Sequence, residues 1–406
     1  MSDKLYKSIK YRIFPNEEQK IILERYFGVR RFTYNYLVNL IFETEYLKEN
    51  IDNKNSTSKL TLRDYIRKNG PEWIRGNTSK GRSKNSNIGQ INVTVVENAV
   101  EDFVIAFNSY KKKSRLWLKE NNIEEITKNR PKIKSKKEST LSCMFNRKDD
   151  FSFKIIDGQL NINTSNYYKR QTFLSKRKIT LDQNKIKQVS FNKINGKYYM
   201  GIVYETQVLQ KPYKSNTKIG IDLGMKTSAV CYDGNKYFNY KLPIRINKIN
   251  KNLIRINSKF SQAKNDSKRK IKLLKRLNKI YKYKINFRNN WQDHIVCDLC
   301  KKYETIIIDD MPKLSKGFNK HNNKKMSIAP GRFIYRLNNK SQELQNNIII
   351  VKSGTPTTQT CSNCGNIKQK EDKLTLNDRT YECKCCGYIK DRDENSAKNI
   401  YNYKVS

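Results

Sequence analysis

Four cysteines near the C-terminus stand in two knuckles, Cys361-x2-Cys364-Gly365 and Cys383-x2-Cys386-Gly387, and the acidic run Asp391-Arg392-Asp393-Glu394 follows directly. Two C-x2-C pairs about 18 residues apart fit a tetrahedral four-thiolate zinc site, because each tight turn presents two thiolates to one ion. The repeated C-x2-C-G pattern selects Cys383 and Cys386 as ligands and leaves Cys385 out. Upstream, Asp222 ends the apolar run Lys218-Ile219-Gly220-Ile221, and Asp309 ends Thr305-Ile306-Ile307-Ile308. Buried strands rarely end in carboxylates without partners, since desolvating a lone charge is costly. Together with Asp393 at a helix start, these carboxylates can hold two divalent cations, Mg²⁺ or Mn²⁺ by the hardness of the oxygen ligands. One ion activates water, and the other stabilises the departing 3′ oxygen of an in-line phosphodiester displacement. Zinc is then structural, and the second metal does the chemistry.

The elements that must carry these residues can be read along the chain. Residues 4–14 alternate as a first strand; Pro15 ends it, and Asn16 with Gln19 forms a capping box for a helix from Glu17 to about Asn50, with a break at Gly28. Residues 75–92 read as a loop. Val96, Val100, Phe103, Phe107 and Tyr110 then form a helical stripe that belongs in a core. Asp157-Gly158 and Asn195-Gly196 predict two β-hairpins between residues 150 and 206. After the linker Pro212–Asn216 comes the strand ending in Asp222, with an adjoining hairpin at Asp233-Gly234. A basic, mostly helical stretch over 244–302 has Leu274, Leu277, Tyr281, Ile285 and Trp291 among its apolar positions. The Asp309 strand, a Lys/Asn-rich loop over 313–327, a further helix, the strand Ile348–Val351, the cysteine module and a final helix complete the chain.

The 406 residues carry 83 Lys+Arg against 38 Asp+Glu, a formal net charge of +45 that calls for a polyanion. The basic residues span the whole chain, which favours nucleic acid over a membrane-surface or ribosome-associated role. Lys111, Lys112 and Lys113, and Lys268, Arg269 and Lys270, are candidate phosphate contacts. No segment reads as a signal peptide or a membrane span, so no membrane partner is expected. Four of the nine cysteines at zinc spacing imply a reducing compartment, cytoplasmic and nucleoid-associated, or nuclear for a eukaryotic source. Cys297-x2-Cys300 has ligand spacing but lies in an apolar-periodic helix, and reads as buried cysteines. His294 and His321 have no Ser or Cys arrangement that would make a nucleophile–base enzyme.

The order Ile219-Gly220-Ile221-Asp222-Leu223-Gly224, Ile306-Ile307-Ile308-Asp309-Asp310-Met311, the two cysteine knuckles and Asp391-Arg392-Asp393-Glu394-Asn395-Ser396-Ala397-Lys398-Asn399-Ile400 resembles the TnpB family. These are transposon-encoded RNA-guided DNA nucleases, related to compact type V CRISPR effectors and to Fanzor proteins. The N-terminal run Tyr11-Arg12-Ile13-Phe14-Pro15-Asn16-Glu17-Glu18-Gln19, with Arg31-Phe32-Thr33-Tyr34-Asn35, is similar too. The resemblance implies an α/β and α+β multidomain architecture. A β-barrel wedge (1–15 and 150–211) would carry a helical recognition insert (16–149), followed by a RuvC-like nuclease domain of RNase H fold (217–354 and 388–406) interrupted by a zinc ribbon (355–387). It further implies a transposon-derived guide RNA, a double-stranded DNA target beside a short adjacent motif, and action as a monomer on one guide.

Carried over residue by residue, Asp222 and Asp393 match the first and third catalytic acids, with Asp391 a close alternative to the third. The second is a departure: the family has Glu followed by Asp, and this chain has Asp309-Asp310. The missing methylene retracts the carboxylate by about 1.5 Å. Asp310 cannot simply substitute, because adjacent strand residues face opposite sides; Glu343, on the following helix, is a remote alternative. Guided DNA binding without cleavage is therefore the second expectation.

Overall fold

The computed structural model describes residues 4–44, 57–70, 93–119, 129–135, 140–146, 153–162, 171–207, 215–224, 228–309, 328–352, 354–369, 372–375 and 378–404. The chain divides into two compact units, Tyr6–Thr206 and Met1–Leu5 with Gln207–Ser406.

In the first unit, strand β1 (Leu5–Arg12) leads through Pro15 into helix α1 (Glu17–Glu43). The capping box forms: the Gln19 amide donates to Asn16 Oδ1 at 2.8 Å, and the Asn16 amide donates to Gln19 Oε1 at 3.2 Å. The break expected at Gly28 does not occur. A mid-helix glycine costs only about 1 kcal/mol relative to alanine, and buried Phe27, Val29 and Arg30 hold the helix on both sides of it. Residues 45–50 of that expected helix and the expected loop at 75–92 lie outside the described residues. Helix α2 (Lys59–Asn69) precedes α3 (Val93–Lys119), whose stripe is buried at Val96, Val100, Phe103 and Phe107 as its period requires and half-buried at Tyr110. Edge-on ring pairs, Tyr34–Phe103 at 6.0 Å and Phe42–Phe107 at 5.9 Å, join α3 to α1.

Strand β2 (Thr140–Asn146) falls inside the stretch expected to be a helical insert. Next come β3 (Phe153–Ile156), β4 (Gln159–Ile162), β5 (Gln171–Phe173), β6 (Ile186–Ile194) and β7 (Lys197–Thr206). Both predicted hairpin turns place their central residues at positive φ, Asp157 and Gly158 at 52° and 73°, Asn195 and Gly196 at 49° and 73°. The strands form a four-stranded sheet, β1-β7-β6-β2, and a three-stranded sheet, β3-β4-β5. Phe145, Phe173 and Phe191 belong to one core shared by both sheets, with Phe173 and Phe191 rings 4.7 Å apart.

The second unit is built on a five-stranded sheet. Its strands are β8 (Lys218–Asp222), β9 (Ala229–Tyr232), β10 (Tyr237–Tyr240), β11 (Thr305–Asp309) and β12 (Asn347–Val351), in the order β10-β9-β8-β11-β12. β8, β11 and β12 run parallel, and β9 and β10 complete an antiparallel meander from β8. The continuous apolar run of β11 follows from burial on both faces. The expected helical stretch over 244–302 is two helices, α4 (Ile244–Ser261) and α5 (Lys268–Lys302), separated by a turn in which Asp266 has φ 57° and Ser267 caps α5. Of its expected apolar positions, Leu277 is buried and Trp291 half-buried, but Leu274, Tyr281 and Ile285 are more than 40% exposed. The sheet-facing stripe of α5 is Ile295, Val296, Leu299 and Cys300 instead, and in its basic N-terminal half Leu273, Leu277 and Ile280 pack on α4. Helix α6 (Pro330–Leu344) covers the same sheet face. Strands β13 (Thr380–Glu382) and β14 (Ile389–Asp391) pair within the cysteine module, and β14 runs directly into α7 (Arg392–Tyr401) on the opposite face.

Candidate active site and metal centre

Parallel pairing brings the first two acids together. Ile221 of β8 and Ile308 of β11 are register partners, so Asp222 and Asp309 follow side by side, one strand spacing (about 4.8 Å) apart. Side chains alternate across a sheet. Ile219, Ile221, Ile306 and Ile308 face α5 and α6; Gly220, Ile307 and both aspartates therefore face α7.

The third acid arrives on that helix. Asp393, Ala397 and Tyr401 recur every four residues and share one side of α7. Beneath them lies Gly220. A Cβ there would stand 2.5 Å from the Ala397 carbonyl oxygen and 2.4 Å from the Tyr401 amide nitrogen, so the helix backbone rests directly on the strand. This close approach carries the first turn of α7 to the end of β8. Asp393 is held by Arg392, whose Nη2 and Nε donate to Oδ1 at 3.0 and 3.1 Å, with Arg379 at 3.9 Å from Oδ2. Burial first, then the charges of Asp393 and Asp309, push the Asp222 carboxyl up to about 8 against the opposing Arg392. The buried Ser396 hydroxyl faces Asp222 without reaching normal hydrogen-bond geometry.

The alternative acids are placed elsewhere. Asp391 is the N-cap of α7: its Oδ1 accepts from the amides of Asp393 and Glu394 at 2.9 and 3.3 Å. Glu343 is not brought to the cluster. It pairs with Lys340 at 3.0 Å near the end of α6, where β12 begins; parallel β11 begins at that same end of the sheet, about 13 Å of strand away from Asp309. Asp310 lies outside the described residues, as do His321 and the 313–327 loop.

The four cysteines converge. All their sulfurs lie within 4.8 Å of one another, with Cys361–Cys386 at 3.7 Å and Cys364–Cys383 at 3.6 Å. A tetrahedron with metal–sulfur bonds of about 2.3 Å has edges of about 3.8 Å, so the cage fits zinc. Each knuckle closes on a glycine at positive φ, Gly365 at 78° and Gly387 at 68°. Backbone donation, chiefly from Cys386, lowers the Cys383 thiol to about 6; at Cys364 backbone donation from Asn366 is outweighed by hydrogen bonds with the other cage sulfurs, chiefly Cys386, which push that thiol up to about 12. Cys385 is exposed and outside the cage. Among the described residues this is the one group of three or more ligand-type side chains gathered within 4.8 Å, so Cys297 and Cys300 have no second pair, and the three carboxylates are spread more widely than a single-ion cage.

Side chains not anticipated from the sequence tie the cysteine module to the acids. Asn395 Oδ1 accepts from the Ser362 amide at 2.9 Å while its Nδ2 donates to the Thr360 carbonyl at 2.8 Å. Asn399, one turn later, donates to the Thr357 and Thr360 carbonyls at 2.8 and 2.7 Å. The Thr357 hydroxyl donates to Asp309 Oδ2 at 3.1 Å. The available signal was the pair of asparagines spaced by four on the Asp393 helix.

The basic candidates lie on the surface. Lys111, Lys112 and Lys113 are exposed on α3. Lys268 and Arg269 are exposed in the first turn of α5, and Lys270 is half-buried over the Phe260 ring, 5.1 Å from its centre.

A mixed α/β multidomain protein with a zinc-type cysteine cage is thus defined, and three family models match parts of it. The family described as "Helix-turn-helix domain" matches residues 1–50, "Probable transposase" matches 201–313, and "Cas12f1-like, TNB domain" matches 331–400. Their order along the chain is that of a TnpB-like protein, and the last of them is a model similar to one from a type V effector. Despite the first description, the described residues of 1–50 form β1 and one unbroken helix. No curated protein matches. Among solved structures, a Cas12f1–sgRNA–target DNA complex is 14% identical, with 98% of this chain and 99% of that chain covered and a TM-score of 0.48. The mini-RNA-guided endonuclease CRISPR-Cas phi3 is 9% identical (98% and 92% covered, TM-score 0.46), as is CasPhi-2 bound to crRNA and phosphorothioate DNA (98% and 91%, 0.44). These likenesses are too distant to carry a functional argument.

Proposed function

We propose that this chain is a transposon-encoded RNA-guided DNA endonuclease. The observation that carries the reading is the meeting of Asp222, Asp309 and Asp393 on one sheet face, in a chain of net charge +45. Asp222 and Asp309 come from adjacent parallel strands and Asp393 from a helix seated on Gly220, so three separate segments supply one cluster of negative charge. Burial first, and then repulsion from Asp393 and Asp309, raise Asp222; cations relieve the repulsion, and all-oxygen ligands select Mg²⁺ or Mn²⁺. When bound, such ions activate water and stabilise the leaving oxygen of a phosphodiester. The residues' own part is to hold three carboxylates in place, with Arg392 and Arg379 orienting Asp393.

In this reading residues 217–354 and 388–406 are the RuvC-like nuclease domain, and 355–387 is a zinc ribbon that fixes the third acid. Residues 1–15 and 150–211 are a β-barrel wedge around a helical recognition insert, 16–149. Strand β2, within the 16–149 stretch, pairs antiparallel with β6 of the wedge, so the strand-bearing part of the wedge reaches back to about residue 140. A transposon-derived guide RNA pairs with one strand of a DNA duplex, the protein reads a short adjacent motif, and Lys111–Lys113 and Lys268–Lys270 contact phosphates. One chain acts on one guide, in the compartment that holds the element's DNA.

The test is to purify the protein with its co-expressed flanking RNA, sequence that RNA, and offer matched linear DNA with Mg²⁺ or Mn²⁺. Target-dependent cleavage that Asp222→Ala abolishes supports the nuclease. Tight guided binding with intact DNA supports the second reading, a guided regulator, which the shorter Asp309 side chain favours. Absence of a specific bound RNA undermines both.

A further inference from the structure

Asp309 is the last residue of β11, where it is the register partner of Val351 in β12. Thr357 meets it there, in the turn leading to the first zinc knuckle. Its hydroxyl donates to Asp309 Oδ2 at 3.1 Å, and at 5% exposure the residue is shielded from competing water. Thr357 is itself fixed from two directions. Its amide donates to the Thr355 carbonyl at 2.9 Å, and its carbonyl accepts from Asn399 Nδ2 at 2.8 Å. Asn399 belongs to the helix that begins beside Asp393. A continuous polar path therefore runs from the helix of the third acid, through Asn399 and Thr357, to the carboxylate of the second.

We propose that Thr357, seated by Asn399, is a positioning residue that sets the Asp309 carboxylate relative to Asp393 for divalent-cation binding. The inference rests on the metal-dependent nuclease reading above. A carboxylate offers about four lone-pair positions, and the threonine engages one of them, on Oδ2. A β-branched donor is suited to this, because its χ1 is restricted and the hydroxyl direction follows from the backbone. The arrangement also gives the cysteine module a second task. Asn395 and Asn399 hold its leading turn against α7, and that turn reaches across to β11.

The variants that test this are Thr357→Val, which keeps the shape and removes the hydroxyl, Thr357→Ser, which keeps the hydroxyl, and Asn399→Ala. Mn²⁺ binding is measured on each purified RNA complex by electron paramagnetic resonance, with Asp222→Ala supplying the background from ions on the RNA. Zinc content and melting temperature establish that each variant is folded. Thr357→Val is expected to weaken the Asp222-dependent Mn²⁺ binding about tenfold, the effect typical of an outer partner of a metal ligand. The half-saturating metal concentration for cleavage rises by the same factor, and the rate at saturating metal stays near parental. Thr357→Ser restores both, and Asn399→Ala shifts both in the direction of valine. Parental Mn²⁺ affinity in a folded, zinc-loaded Thr357→Val protein overturns the proposal. Parental protein that binds Mn²⁺ no better than Asp222→Ala overturns the metal reading and the positioning role with it. Asp222-dependent binding without DNA cleavage overturns only the nuclease, and the valine-to-parent affinity ratio still decides the role of Thr357.

Discussion

Gly220 is where the geometry of the acids is most exposed to a single methyl group. Its Cβ position lies 2.4 Å from the Tyr401 amide nitrogen and 2.5 Å from the Ala397 carbonyl oxygen, and both are backbone atoms of α7. No rotamer change relieves such a contact. Ordinary van der Waals separation begins near 3.4 Å, so Gly220→Ala requires the helix to retreat from β8 by about 1 Å. Overpacking of this kind costs about 1–3 kcal/mol, which a folded domain survives. The site is less tolerant. Asp393 is one turn from Ala397 on the same side of α7 and moves with it, whereas catalytic groups must hold to about 0.5 Å. A misplacement of about 1 Å lowers the rate on the order of 100-fold.

The assay is single-turnover cleavage of matched DNA at saturating guide complex, with guided DNA binding and zinc content measured in parallel. The expected pattern is intact binding, intact zinc and cleavage depressed about 100-fold. Ala397→Gly should not rescue it, because the methyl that it removes is not among the nearest atoms. Gly220→Ala protein that is folded and cuts within about threefold of the parental rate would refute the claim that helix–strand contact sets the position of Asp393.

Asp309→Glu extends the second carboxylate by about 1.5 Å and is expected to raise cleavage severalfold at unchanged DNA binding; no gain in a folded protein refutes the missing methylene as the limiting feature. Removing zinc by chelation, or breaking the cage by Cys364→Ser, should abolish cleavage and lower the melting temperature, since the cage orders the turn that Asn395 and Asn399 grip; zinc-free protein cutting at the parental rate counts against this. Asp102→Ala strands the guanidinium of Arg30, 11% exposed in its side chain and also donating to Ser142, and should cost about 3 kcal/mol by chemical denaturation. Guide-RNA affinity should fall steeply with salt, and neutralising Lys268 and Arg269 should reduce the slope of log affinity against log salt by about 1–2; an unchanged slope removes these two residues from the interface.

What the sequence discloses about this molecule follows the range of the forces involved. Local signals read correctly: the Asn16–Gln19 capping box, both Asx-Gly hairpins, the α3 stripe and the cysteine cage each depend on residues within a few positions of one another, or on an ion-sized spacing. The strand ends of Asp222 and Asp309 were legible because a parallel strand buried on both faces writes a continuous apolar run. Gly28 misled because a glycine weakens a helix without ending it when buried neighbours hold it. Leu274, Tyr281 and Ile285 misled because periodicity marks an apolar face but not whether another element covers it. Strand β2 and the Asn399–Thr357–Asp309 path were hidden for the same reason as each other: both are long-range pairings whose partner is chosen by topology, and neither residue type nor spacing names that partner.

The surroundings of Asp222 bear on whether the acids are a structural network or a cation site. A structural carboxylate in a protein this basic has every opportunity to find a lysine or arginine, and Asp293 shows the pattern, with Arg332 at 3.1 Å and Arg336 at 2.8 Å. Asp222 departs from it. Among the described residues no cation forms an ion pair with it, its neighbours include two further carboxylates, and Arg392 spends its hydrogen bonds on Asp393 and the Thr375 carbonyl. Burial with like charges disfavours the ionised form, which is why the Asp222 carboxyl is raised. Such an arrangement disfavours the carboxylate and is relieved by a proton or by positive charge brought beside it. If that charge is a divalent cation, Mg²⁺ or Mn²⁺ should raise the melting temperature of the parental protein and not of Asp222→Asn, in which one of the repelling charges is already gone. Equal shifts in the two proteins would make the cluster a structural one, and the nuclease reading would lose the observation that carries it.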